Sequence, residues 1–202
     1  TSAFKVGRLV HLAALEPEKL DTLIHIVPVK SENTKLFKEK VAEVGSGQFV
    51  YTQAQYEKSM YSVDALLQND IWKELTKNAK FEQPAFDILH GYPFRAKADI
   101  LGFDFIADLK TTINLDVFFY SARKNGYDVQ VYIYCKLFKQ SYKDFIFFAI
   151  DKSTGDLGIY DVEESFYESG KNKVEQAIEV FEKYIVKQEE SLENYVIKGT
   201  LK

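Results

Sequence analysis

The chain has 202 residues, a formal net charge of −4, and 46% hydrophobic and 15% aromatic side chains, enough apolar material to bury one substantial core. No apolar run reaches the roughly twenty residues of a membrane span, and the N-terminus lacks the basic-then-apolar plan of a signal peptide. A lone cysteine, Cys135, excludes an internal disulfide framework and fits a reducing, cytoplasmic setting.

In chain order, residues 4–16 read as a helix, 23–27 as a short strand, and 31–44 as a helix that Ser31 can cap. A second short strand is expected at 48–51. Thr52 with Gln55 forms a capping-box pattern that opens a helix to about Gln68, and a shorter helix follows near 71–76. Three strands come next, near 80–89, 94–100 and 103–110, joined by His90-Gly91-Tyr92-Pro93 and by a turn at Gly102. Asn114 is placed to cap a helix to about Lys124. Residues 128–137 alternate apolar and polar side chains, the period of a strand. Residues 145–150 and 157–160 pair as a hairpin across Ser153-Thr154-Gly155-Asp156, and 163–190 supplies one or two closing helices. No repeat or linker divides the chain, so 1–202 reads as a single domain. It opens at Thr1 without methionine, close to the helix that carries His11, which implies residues upstream.

Chemistry concentrates in the second and third central strands. Alternation places Ile106, Asp108 and Lys110 on one face, and Phe105, Ala107 and Leu109 on the other. A tight hairpin at 101–104 sets Asp99 opposite Ile106 and diagonal to Asp108, so that two carboxylates and an amine converge. Such a cluster suits phosphodiester hydrolysis: carboxylates hold Mg²⁺, which neutralises charge and activates water, while Lys110 positions the water or stabilises the phosphorus centre. Taken alone, an Asp-x-Lys at a strand end is more often a solvated surface pair.

Asp99 followed by Asp108-Leu109-Lys110 resembles the acid and acid-x-lysine motif of the PD-(D/E)XK nucleases. Four further features resemble the exodeoxyribonuclease VIII (RecE-like) branch, with the RecB nuclease domain and lambda exonuclease as more distant relatives. Residues 7–18 are similar to that branch's glycine-x-x-x-histidine helix and Leu-Glu-Pro segment, with His11 as the histidine. Glu82, in Phe81-Glu82-Gln83-Pro84, is similar to the glutamate that opens the first core strand. Tyr127, Gln130 and Tyr134 resemble the tyrosine and Gln-x-x-x-Tyr motif, and Thr111-Thr112 follows the lysine. The likeness spans Gly7 to about Ile150. It departs at Lys97-Ala98-Asp99, where many relatives carry Arg-Pro-Asp.

The resemblance implies an α/β (α+β) fold with a mixed central sheet flanked by helices: a histidine helix at 4–16, a nuclease core at about 80–150, and a helical region at about 163–190. It also turns 128–137 from strand to helix. It implies Mg²⁺, with Mn²⁺ as a substitute, held by His11, Asp99, Asp108 and the Leu109 carbonyl. Asp99, Asp108, Lys110, Glu82, Gln130 and Tyr134 would serve catalysis, while Arg123, Lys124, Lys97 and Tyr127 would contact DNA. The implied substrate is the end of linear double-stranded DNA, degraded from the 5′ end by a homo-oligomeric ring that hands its product to a single-strand annealing protein, in bacterial cytoplasm and of phage or prophage descent.

The acidic balance does not exclude such a partner, because local field decides nucleic-acid binding. Lys97, Lys110, Arg123, Lys124 and Lys136 gather around the motif in sequence, whereas Glu163, Glu164, Glu168, Glu175, Glu179, Glu182, Glu189, Glu190 and Glu193 make the C-terminal region acidic. Three alternatives stand beside the exonuclease: an endonuclease or nuclease of opposite polarity, a silent DNA- or partner-binding module, and an unrelated α/β ligand-binding domain.

Overall fold

The computed structural model describes residues 2–189 together with Ser191 and Val196. α1 (Ser2–Leu15) leads through a turn of 3-10 helix at Pro17–Lys19 and the short α2 (Leu20–Leu23) into β1 (Ile24–Val27). α3 (Lys35–Glu43) connects β1 to β2 (Phe49–Thr52), and these strands pair in parallel. α4 (Gln53–Gln68) opens on the expected capping box of Thr52 and Gln55, and α5 (Asp70–Thr76) starts from an Asn69 cap. The main sheet runs β3 (Lys80–Leu89), β4 (Tyr92–Leu101), β5 (Ile106–Thr112), β6 (Phe145–Asp151) and β7 (Leu157–Asp161) in spatial order. β5 and β6 are parallel, across a crossover that holds α6 (Phe118–Lys124) and α7 (Tyr127–Phe138); the other neighbours are antiparallel. α8 (Glu164–Phe181) continues into a turn of π-helix at Glu182–Val186.

Strand alternation sorts the core into two layers. Ala107 and Leu109 of β5, with Phe148 and Ile150 of β6, pack against Val10 and Ala14 of α1, Leu66 of α4 and Trp72 of α5. Ile106, Phe145, Phe147 and Ala149 turn the other way, onto Phe118 and Ala122 of α6, Val131 and Cys135 of α7, and Phe166 of α8. Each fully buried large side chain, Leu109 or Phe148 for instance, contributes about 1.5–3 kcal/mol. The product is a mixed sheet between helical layers, as the fold class requires. No helix among the described residues is long and apolar enough to cross a membrane.

Four local expectations need correction. The turn between β4 and β5 is longer than a tight hairpin: Gly102 N–H donates to Phe105 O at 2.9 Å, and pairing begins at Leu101–Ile106 and Ile100–Ala107. Asp99 therefore counts opposite Asp108 rather than Ile106, and a slip of two residues keeps it on the same face. Thr34, not Ser31, caps α3, its hydroxyl accepting from Phe37 N–H at 3.3 Å. Ser31 instead accepts from Asn33 N–H in the preceding turn. Asn114 accepts from Asp116 N–H at 2.8 Å through its side-chain Oδ1, and α6 starts later, after Val117, without a side-chain cap. Of the acidic C-terminal residues, Glu190 and Glu193 lie outside the described residues.

Candidate active site

β4 and β5 pair only at Leu101–Ile106 and Ile100–Ala107 before they part. In the fork, Asp99 Oδ2 accepts from Leu109 N–H at 2.9 Å and lies 3.3 Å from His11 Nδ1 of α1. A carboxylate thus takes the place of a ladder partner for a backbone donor. On the far side of β4, the pairs Phe81–Ile100 and Gln83–Ala98 leave Glu82 opposite Asp99, at φ 54. A non-glycine residue in the left-handed region costs of order 1–3 kcal/mol and persists where its surroundings over-determine it. One ligand atom each from His11, Glu82 and Asp99 here lies within 4.8 Å of the others.

Asp108 stands beside this trio, 2% exposed. It is in ion contact with Lys110, and Gln130 of α7 donates its amide to Asp108 Oδ2. Lys110 Nζ donates to Gln130 Oε1 at 3.0 Å and sits 4.5 Å from the Tyr127 ring centre. One helix therefore fixes both the acid and the amine. Lys97 pairs with Glu82, and Tyr134 holds Lys97 from behind by donating to its carbonyl at 2.9 Å.

Burial shapes the charges. It lowers the His11 pKa, leaving the imidazole neutral and able to ligate. It pushes the Asp99 carboxyl well above the usual carboxylate range, and the Asp108 charge pushes further in the same direction. For Lys110 burial acts downward, but Asp108 overrides it and the ammonium stays charged. Because the folded pKa of Asp99 lies above its unfolded value, the metal-free fold holds a proton that the unfolded chain has lost. Its contribution to stability is therefore full below the unfolded pKa and declines as pH rises through the folded one. Thermal midpoints of metal-stripped protein from about pH 5 to about pH 8 are expected to fall more steeply for the wild type than for Asp99→Asn. Parallel curves would refute this assignment.

The donor set fits a hard divalent cation. It combines carboxylate oxygens with one neutral imidazole, and both Glu82 Oε2 and Asp108 Oδ1 are buried without a hydrogen bond of regular geometry, each in ion contact with a lysine ammonium. His11, Glu82, Lys97, Asp99, Lys110 and Tyr127 line a cleft of about 630 Å³, while Asp108 lies buried behind that lining. Arg8, Asn125 and Lys152 also line it and were not singled out from sequence. Arg8 carried a signal, since it lies three residues before His11 and so shares a helix face with it.

Three basic residues do not join the cluster. Arg123 lies over the rings of Phe119 and Phe166, at 5.1 and 5.5 Å, and lines a separate cavity of about 200 Å³. Lys124 is exposed and Lys136 sits 5.7 Å from the Tyr132 ring; neither lines the cleft. Nearness in sequence put them around the motif, but α6 and α7 point them elsewhere.

No curated protein matches the chain. Among solved structures, a protein described as "Putative exonuclease" from Eubacterium rectale superposes with a TM-score of 0.64 at 18% identity, over 100% of this chain and 77% of that one. A second, SSO0001, gives a TM-score of 0.35 at 14% identity over 83% of this chain and 74% of that one, too distant to bear on the fold. The first likeness agrees with the mixed sheet between helical layers. The family model described as "PDDEXK-like domain of unknown function (DUF3799)" matches residues 1–194. With that match spanning almost the whole chain and the acid and acid-x-lysine residues meeting in the fork of β4 and β5, the chain belongs to this PDDEXK-like family of the PD-(D/E)XK superfamily.

Proposed function

We propose that the chain is a Mg²⁺-dependent deoxyribonuclease that hydrolyses the phosphodiesters of linear double-stranded DNA from an end. The observation that carries this reading is the convergence of His11, Glu82 and Asp99 within 4.8 Å, beside an Asp108 that is itself paired with Lys110. His11, Glu82, Asp99, Asp108 and the Leu109 carbonyl would hold the cation, with Mn²⁺ as a substitute. When bound, it supplies the positive charge that polarises a phosphodiester and acidifies a water.

The chain's own residues do the rest. Lys110, kept charged by Asp108, presents an ammonium to the attacking water or to the phosphoryl oxygens. Gln130 bridges Asp108 and Lys110, so neither can swing away without breaking the other's contact. The Tyr127 ring flanks the ammonium, and Lys97 stands at the rim of the cleft, able to meet a phosphate without reading sequence. The family description and the neighbour from Eubacterium rectale support a nuclease, and that neighbour's printed name favours an exonuclease. Degradation from 5′ to 3′, a homo-oligomeric ring, a single-strand annealing partner, a phage-type recombination role and a bacterial cytoplasmic setting extend the proposal from the RecE-like resemblance.

Linear and closed circular duplexes, incubated with Mg²⁺ and with EDTA, test it. Metal-dependent loss of the linear form alone is expected, and end labels then give the polarity. Loss of both forms would make the protein an endonuclease. Folded protein that cuts neither would sink the proposal in favour of a binding module.

A further inference from the structure

We infer that the exposed face of the β3–β4 hairpin is a nucleic-acid track that carries the DNA strand onward from the cleft, with Phe86 and Arg95 as its main contacts; this rests on the deoxyribonuclease reading above. Antiparallel register puts Pro84 beside Lys97, Phe86 beside Arg95 and Ile88 beside Pro93, so these residues share one face, and the ion contact of Lys97 with Glu82 joins that face to the site. The row therefore starts at the cleft, where Lys97 is part of the lining, and continues outward along the hairpin through Arg95 and Phe86.

The fold makes no use of this face. Phe86 is 74% and Ile88 64% exposed, while Ala96 and Ala98, on the opposite face, are buried. That opposite face also anchors the hairpin. Tyr92 meets Phe181 edge-on at 5.4 Å, and at the tip the His90 ring nitrogen is 2.9 Å from the Tyr132 hydroxyl. The turn itself is a tight two-residue one, His90 at φ 51 and Gly91 at φ 83, the geometry that matches strand twist. A rigid, anchored hairpin thus displays aromatic and aliphatic surface next to two cations.

Chemistry selects the occupant. Arg95 and Lys97 lie two residues apart on β4, about 6–7 Å along the strand, and Arg95 is exposed without an ion pair to any described residue. Alternating cations and an exposed ring suit a polyanion with stacking faces: lysine and arginine neutralise phosphates, and a ring accepts a base regardless of its sequence. A second copy is the weaker candidate. A two-fold contact through this face would set Arg95 and Lys97 against a like row, and Pro84 removes a donor from the free edge of β3.

The test uses Phe86→Ala and Arg95→Gln, singly and together, in the full chain. Binding of a fluorescent duplex with a frayed end is read by anisotropy, with Ca²⁺ in place of Mg²⁺ to suppress cleavage. Each substitution is expected to weaken binding about tenfold, and Arg95→Gln to lower the salt slope by about one. Affinity for Mn²⁺ alone, by calorimetry, stays at the wild-type value. Unchanged DNA affinity in both variants would overturn the inference while leaving the deoxyribonuclease intact, provided the wild type binds and cuts. Altered sedimentation with unchanged DNA binding would overturn it too, assigning the face to contact between copies. A wild type that binds no DNA would fail the parent proposal itself.

Discussion

Lys110→Ala is expected to lower metal-dependent hydrolysis by about 10²–10³-fold, the scale of losing one preorganised charge at a reacting centre. The Lys110 side chain is only 16% exposed, and its ammonium is held by Asp108, by Gln130 at 3.0 Å and by the Tyr127 ring at 4.5 Å. The variant also strands Asp108 beside Asp99. Breaking a buried pair from one side costs of order 3–5 kcal/mol, and a bound cation offsets part of that loss. The variant should therefore melt earlier than the wild type when stripped of metal and gain more from added Mg²⁺. Rates and thermal midpoints measured together separate catalysis from folding. A well-folded variant that cuts at the wild-type rate would remove Lys110 from the mechanism.

Gly170→Ala is expected to destabilise the protein by about 1–3 kcal/mol, as overpacking does. Intrinsic propensity argues the other way, since alanine in a helix interior is favoured over glycine by up to about 1 kcal/mol. Packing wins because a Cβ at Gly170 would stand 2.0 Å from the Asp128 carbonyl oxygen and 2.9 Å from Val129 N. These are backbone atoms at the start of α7 and have little room to move. Asp128 is also tied to α8 by its side chain, accepting from Ser169 Oγ and from Lys173 Nζ, each at 2.6 Å. Displacing this joint shifts Gln130, two residues on, so hydrolysis falls with stability. Denaturant unfolding reads the first effect and the DNA assay the second. A stabilised variant would show that the helices part at no cost.

Much of the architecture could be read from residues, and the failures have physical causes. The Thr52–Gln55 box and the Ser153–Asp156 turn are local devices, and both stand where expected. At residues 128–137 alternation alone pointed to a strand, and the helix that the resemblance implied is what the structure shows. Asp128, Val131, Tyr132 and Cys135 are buried at helical spacing, while Val129 and Ile133 line a cavity with Phe94 and residues of α8 on another side. A helix covered on two sides has no single apolar stripe to announce it. Within the site, Asp99, Asp108 and Lys110 were legible because alternation fixes faces even when the register slips by two. The left-handed backbone of Glu82 carries no sequence signal, and the direction of Arg123 was set by distant Phe166.

The fork of β4 and β5 leaves one interior amide answerable to a side chain. Leu109 N–H donates to Asp99, not to a neighbouring strand. Its exchange with solvent deuterium is governed by how firmly that carboxylate is held, whereas amides bonded strand to strand follow the opening of the sheet. A single amide in the middle of β5 would thus report a cation bound at the candidate site from inside the fold, with no substrate present.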